Sequence, residues 1–123
     1  MNTTKVIARL LLKLSEIFKL LPITQSEKDK LLANLIESTM QLSMLRVLEN
    51  KPSLVDELKR QDISFVTKGG IKKLDDFVNN NLDENLQGVF VSEWSLLLDQ
   101  YIESVLPTLN TSIKQQVQQV WSN

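Results

Sequence analysis

Three prolines divide this chain into stretches whose apolar residues recur every three or four positions, and this feature constrains the fold most. Pro22, Pro52 and Pro107 fall between the stretches, and Gly69-Gly70 marks a further break. Such a period predicts amphipathic α-helices, and no stretch shows the sustained alternation that is typical of strands. We therefore predict an all-α fold, a single-domain bundle of five or six helices that spans residues 1–123.

Prolines and capping residues set the expected limits of the helices. We expect helices over residues 4–21, 26–49, 53–61, 71–78, 83–106 and 111–121. Thr24 and Glu27 have the spacing of a capping box at the start of the second helix. Asp83 suits the positive end of the fifth helix, and Asn110 or Thr111 can cap the last one.

The absence of histidine and cysteine restricts the chemistry of this chain more than any other property of its composition. The usual ligands of zinc, haem and iron–sulfur clusters are missing, as are Ser–His and Cys–His catalytic pairs. With 14 basic and 15 acidic residues the chain is nearly neutral, which argues against a dedicated nucleic-acid-binding protein. We therefore expect no enzymatic activity, no metal and no cofactor.

The second helix is predicted to be the centre of the bundle. Its apolar residues surround it almost completely, and only Asn34, Ser38 and Gln41 form a consistently polar sector. Because a helix that is apolar on most sides must be covered on most sides, we expect its neighbours to pack around residues 26–49. Arg46 projects from this helix, and we expect a carboxylate of the acidic fifth helix to pair with it.

The first helix, residues 4–21, is cationic and amphipathic, with Arg9, Lys13 and Lys19 beside an apolar half. Packing in the core is the ordinary role of such a helix. The alternative is a peripheral membrane protein that uses this helix at a lipid surface. No signal-peptide cleavage pattern follows the helix, so we expect it to belong to the mature fold of a cytoplasmic protein.

The fifth helix carries carboxylates on one side and an aromatic stripe that includes Phe90, Trp94 and Tyr101 on the other. A stripe of this kind is usually core, and we predict that it is buried. Since the fifth helix is acidic and the first is basic, we expect the two to pack together.

The last helix has a narrow apolar stripe, Ile113, Val117 and Trp121, flanked by glutamines. We predict that these three residues contact another protein, with a second copy of this chain among the candidates. A second predicted contact is the basic patch of Lys68, Lys72 and Lys73. The wider basic stretch 59–73 also permits a less favoured nucleic-acid hypothesis.

Residues 83–94 approach the pattern of a calcium-binding loop, with Asp83 and Gly88 at its first and sixth places. The twelfth place is Trp94, and the acid Glu93 comes one residue early, so we expect no calcium site. With catalytic and metal sites excluded, the predicted function is a non-catalytic protein–protein interaction module: a small adaptor, an inhibitor or a regulatory subunit.

Overall fold

The computed structural model describes residues 3–60 and 68–123, without the side chains of residues 3, 4, 68–72 and 75. The described residues form α-helices and a single 3-10 turn, Leu106–Thr108, and contain no strand. The helices are α1 (Thr3–Leu20), α2 (Gln25–Val47), α3 (Pro52–Arg60), α4 (Lys68–Asn81), α5 (Glu84–Val105) and α6 (Thr111–Ser122). The predicted all-α bundle is confirmed.

The predicted caps Thr24 and Asn110 are present, and Asp83 also caps its helix. The side chain of Thr24 accepts a hydrogen bond from the backbone N–H of Glu27 at 3.2 Å, and Glu27 Oε2 accepts one from the Thr24 N–H at 3.3 Å. Asp83 and Asn110 each accept a bond from the backbone N–H three residues on, at 2.8 and 2.9 Å. These side chains bond N–H groups that have no partner inside the first turn of a helix.

Pro52 and Gly69-Gly70 lie inside α3 and α4, although the predicted helices begin after them. Pro52 is the first residue of α3 rather than a stop before it, because its fixed φ suits the first helical position and its missing N–H costs nothing there. The pair Gly69-Gly70 lies in the first turn of α4 instead of preceding that helix. At its other end α4 continues to Asn81, whose side-chain amide donates to the Phe77 carbonyl at 3.0 Å.

The core combines buried side chains from every helix, and α5 contributes a continuous stripe to it. The α5 residues in the core are Phe90, Val91, Trp94, Leu98 and Ile102. The α1 residues in the core are Ile7, Leu10, Leu14, Ile17 and Phe18. The predicted burial of the fifth helix's aromatic residues is confirmed for Phe90 and Trp94, while Tyr101 is half-buried.

As predicted, α1 and α5 pack together, but aromatic rings join them rather than charges. The rings of Phe18 and Tyr101 stack with their centroids 6.4 Å apart and their planes 9° from parallel. Burial also raises the pKa of the Tyr101 phenol above its usual value of 10.0. The phenol therefore stays protonated at neutral pH, and the contact is uncharged on both sides.

A chain of hydrogen bonds links α2 to α5. The indole N–H of Trp94 donates to Thr39 Oγ1 at 2.9 Å, and the Thr39 hydroxyl donates to the Leu35 carbonyl at 2.7 Å. Ser43, which is fully buried, donates its hydroxyl to the Thr39 carbonyl at 2.7 Å. Because each buried polar group has a partner, the α2–α5 contact loses little free energy to desolvation.

The second helix is enclosed only in part. It packs against α5 and α1, but its buried residues begin at Met40. Leu31 and Leu42 keep 47% and 43% of their surface exposed. The described helices therefore cover α2 along one side of its C-terminal half, and the apolar residues on its opposite side remain in contact with solvent.

Candidate protein-interaction surface

Two apolar faces run along α2, and they point in nearly opposite directions. The face toward the core consists of Ile36, Met40, Ser43, Met44 and Val47. The other face, which we call the outward face of α2, consists of Leu31, Leu35, Ser38, Leu42 and Leu45. At 3.6 residues per turn the centres of the two faces are about 200° apart around the helix. Among the described residues, the first face is buried in the core, and on the outward face Leu35 also packs partly against it.

The residues of the outward face have the spacing of a helix-pairing seam. The intervals along it alternate between four and three residues, as at the a and d positions of a heptad repeat. Leu31, Ser38 and Leu42 are exposed, and Leu35 and Leu45 are half-buried. Along one edge of the face lie Asn34 and Gln41, which are exposed and uncharged. A partner helix thus finds leucines in register and no charge along that edge.

An ion pair joins the outward face to α5. Arg46 Nη1 lies 3.1 Å from Glu93 Oε2, so the predicted pairing of Arg46 with the acidic helix is confirmed. The guanidinium is exposed rather than buried, and such a surface pair contributes only about 0.2–1 kcal/mol to stability. Leu42 lies one turn before Arg46, and the exposed Val89 and Leu96 lie one turn on either side of Glu93. Each of the two helices thus carries exposed apolar residues within one turn of the ion pair.

The structure places the stripe predicted to bind a partner, on α6, largely against α1. Val117 is 1% exposed and belongs to the core. Ile113 is half-buried, and so is Trp121, whose indole N–H donates to Asp99 Oδ1 at 2.6 Å. The ammonium of Lys13 lies 5.9 Å from the centroid of the Trp121 ring. In this fold Val117 offers no surface to another protein, and a partner contact at the other two residues stays a prediction.

The basic patch lies partly outside the described residues. Lys59, Arg60 and Lys73 are exposed, and the Arg60 side chain pairs with Glu57 within α3. The side chains of Lys68 and Lys72 are not among those described, and neither are residues 61–67. Binding at this patch stays a prediction, both for a protein partner and for nucleic acid.

The apolar half of α1, which the membrane hypothesis requires at a lipid surface, faces the core. Leu14, Ile17 and Phe18 are buried, and of this helix's large apolar residues only Leu12 is strongly exposed, at 63%. Nor does any helix among the described residues combine the length and apolarity needed to cross a bilayer. A lipid surface would contact α1 through Leu12 and its basic neighbours unless the bundle opened.

This chain matches no protein-family model, and no curated protein or solved structure matches it.

The stretch that approaches a calcium loop is helical from Glu84 onward, so its oxygen ligands cannot converge on an ion as they do in a loop. Within the described parts of the chain, no cluster of three or more acidic side chains could hold a metal ion. Gly88, at the loop's glycine position, lies inside α5, and a Cβ built on it meets no atom within 4 Å.

We predict that Gly88→Ala stabilises the fold by about 0.5–1 kcal/mol, because alanine has the higher helix propensity and fits without strain. Thermal unfolding followed by circular dichroism measures the change. An alanine that lowers the melting temperature would mean that this position needs glycine, as the sixth position of a calcium loop does.

A shallow cleft of about 220 Å³ lies between α5 and α6 and is lined in part by Asp99, Glu103 and Trp121. Its volume is below the roughly 300–1,000 Å³ typical of small-molecule sites. The outward face of α2 is therefore the stronger candidate for function.

Proposed function

We propose that this chain is a non-catalytic interaction module that binds another protein through the outward face of α2 and the adjoining surface of α5. The bound segment is an α-helix that lays its own apolar stripe along Leu31, Leu35, Leu42 and Leu45. This is helix-in-groove recognition, in which residues three and four apart anchor one helix on another. Adaptors, inhibitors and regulatory subunits all use it.

One observation carries the proposal: α2 is apolar on two opposite sides, and the described helices cover only one of them. A solvent-exposed helix normally concentrates its apolar residues on the side that faces its own core. Contiguous apolar surface at helical spacing, with polar residues at its edge, is typical of a protein-binding site. The exposed large apolar residues here are Leu31 and Leu42 on α2 and Val89 and Leu96 on α5.

The composition supports a non-catalytic role in a reducing compartment. The chain has no histidine or cysteine and therefore lacks the commonest general base and the thiol nucleophile. A chain without cysteine needs no oxidising compartment, which agrees with a cytoplasmic location.

Affinity purification with matched variants tests the proposed surface. The tagged chain, the double variant Leu31→Glu/Leu42→Glu and the control Leu12→Glu are each used to retrieve bound protein from the cells that make this chain. We expect the double variant to lose its partner because two carboxylates would be buried against an apolar helix. The control should retain it, since Leu12 lies on α1, away from the outward face.

Circular dichroism establishes that all three proteins are folded, which we expect because each substituted residue is exposed. Retention of the same partner by the double variant, or equal loss in the control, would contradict the proposed surface.

A further inference from the structure

We propose that the protein bound at the outward face of α2 is a second copy of this chain, and that the two α2 helices pair antiparallel. This inference rests on the proposed function, because it names the partner of the same surface. The result is a twofold-symmetric dimer in which one patch contacts its own copy, the commonest arrangement of protein homo-oligomers.

The sequence of the outward face is suited to pairing with its own reverse. Two leucines precede Ser38 and two follow it, at alternating intervals of four and three residues. In an antiparallel pair the a position of one helix meets the d position of the other. Leu31 then faces Leu42 of the second copy, and Ser38 faces Leu35 of the second copy. Each of these four layers contains at least one leucine, and Leu45 lies beyond them, opposite Lys28 of the second copy.

Ser38 decides the direction of pairing. In a parallel pair the two Ser38 side chains would share one layer and leave a gap between the helices. In the antiparallel pair each small serine lies opposite a leucine, so the layer is filled, and alternation of large and small residues gives the denser packing. The antiparallel arrangement also sets the positive end of each helix beside the negative end of the other.

The edge of the seam favours a second copy over a partner of opposite charge. Asn34 of one helix comes beside Gln41 of the other, where the two amides can donate to and accept from each other. Neither carries a charge, so self-association brings no like charges together along this edge. On the opposite edge, Arg46 is already paired with Glu93 of its own chain. Val89 and Leu96, one turn on either side of Glu93, are exposed as well.

Sedimentation equilibrium measures the association. Over about 1 μM to about 1 mM protein we expect a reversible monomer–dimer equilibrium. Leu42→Glu should raise the dissociation constant at least about tenfold, because each copy loses a buried leucine and gains a buried charge. Leu12→Glu, at an exposed site off the seam, should leave the constant unchanged.

Cysteine cross-linking tests the direction and register, since the chain has no cysteine of its own. Asn34→Cys and Gln41→Cys are prepared as single variants. Each is oxidised alone, and the two are also oxidised together in a mixture. We expect a disulfide-linked heterodimer in the mixture and little homodimer of either variant. Residues 34 and 41 of one chain are about 10.5 Å apart along the helix, and a disulfide requires Cα atoms within about 7 Å.

Each outcome decides between the proposals. Antiparallel self-pairing is overturned if the chain is a monomer at every concentration. It is also overturned if each variant forms disulfide-linked homodimers and the mixture contains no heterodimer. If the chain is monomeric while purification still retrieves another protein that Leu31→Glu/Leu42→Glu loses, the proposed function stands without this inference. If neither association is sensitive to the outward face, both are overturned.

Discussion

Replacing Trp94 by alanine is expected to lower the free energy of unfolding by about 3–5 kcal/mol, the range for removing a large aromatic side chain from a core. Trp94 is fully buried, in the α5 stripe that packs against α2. Its indole N–H also donates to Thr39 Oγ1 at 2.9 Å, so the substitution removes both packing and a hydrogen bond between the helices. The alanine leaves a cavity that the surrounding bundle fills only in part.

Urea unfolding followed by circular dichroism measures the loss, and a second pair of variants separates its two causes. Trp94→Phe keeps most of the ring packing but removes the donor, and Thr39→Val removes the acceptor in a side chain of similar shape. A double-mutant cycle between them should give a coupling of about 0.5–1.5 kcal/mol for the hydrogen bond. A loss below about 1 kcal/mol in Trp94→Ala would show that α2 and α5 do not pack as described.

Val117→Asp is expected to destabilise the fold by several kcal/mol or to detach α6 from α1, because it places an unpaired carboxylate in the apolar contact between these helices. Val117 is nearly inaccessible to solvent, so water cannot solvate the new charge. The same substitution at a surface site costs little.

Gln118→Asp provides that matched control, since Gln118 is the next residue of α6 and is exposed. Denaturant unfolding should show a change within about 0.5 kcal/mol for this variant. Limited proteolysis adds a local measurement: Val117→Asp should make α6 sensitive to cleavage while the control resists. Equal stability of the two variants would mean that the last helix is not docked through Val117.

Local chemistry made much of the fold predictable. Thr24, Asp83 and Asn110 start helices because each side chain bonds an N–H three residues on, and that interaction needs no tertiary contact. The position of Pro52 was not predictable, because proline both ends one helix and suits the first position of the next. The sequence does not indicate which of the two roles it has. Gly69-Gly70 was misplaced for a similar reason, since two glycines weaken a helix without forbidding its first turn.

The faces of α2 were beyond a prediction from periodicity. When a helix is apolar on two opposite sides, its apolar residues are distributed almost evenly around it. Its sequence then predicts that other helices cover it, but it does not indicate which side they cover. The position of α5, fixed in part by Thr39 and Trp94, decides that question in favour of the side with Met40 and Met44.

The last helix illustrates the opposite limit. Its stripe is narrow enough for a contact with another molecule, and periodicity cannot distinguish such a contact from packing against the same chain. Val117 packs in the groove beside α1. Lys13 donates a hydrogen bond to the backbone carbonyl of Trp121 at 3.2 Å, and the indole N–H of Trp121 donates to Asp99. No single-sequence pattern links residues that are 108 positions apart.

This last contact has a consequence for how the protein is made. Residue 121 leaves the ribosome on the order of 5–20 seconds after residue 13, at roughly 5–20 residues per second. Until then α6 does not cover the apolar side of α1, and this amphipathic segment of the nascent chain exposes apolar surface. We therefore expect chaperones to bind this segment early in translation and to release it when the final helix emerges.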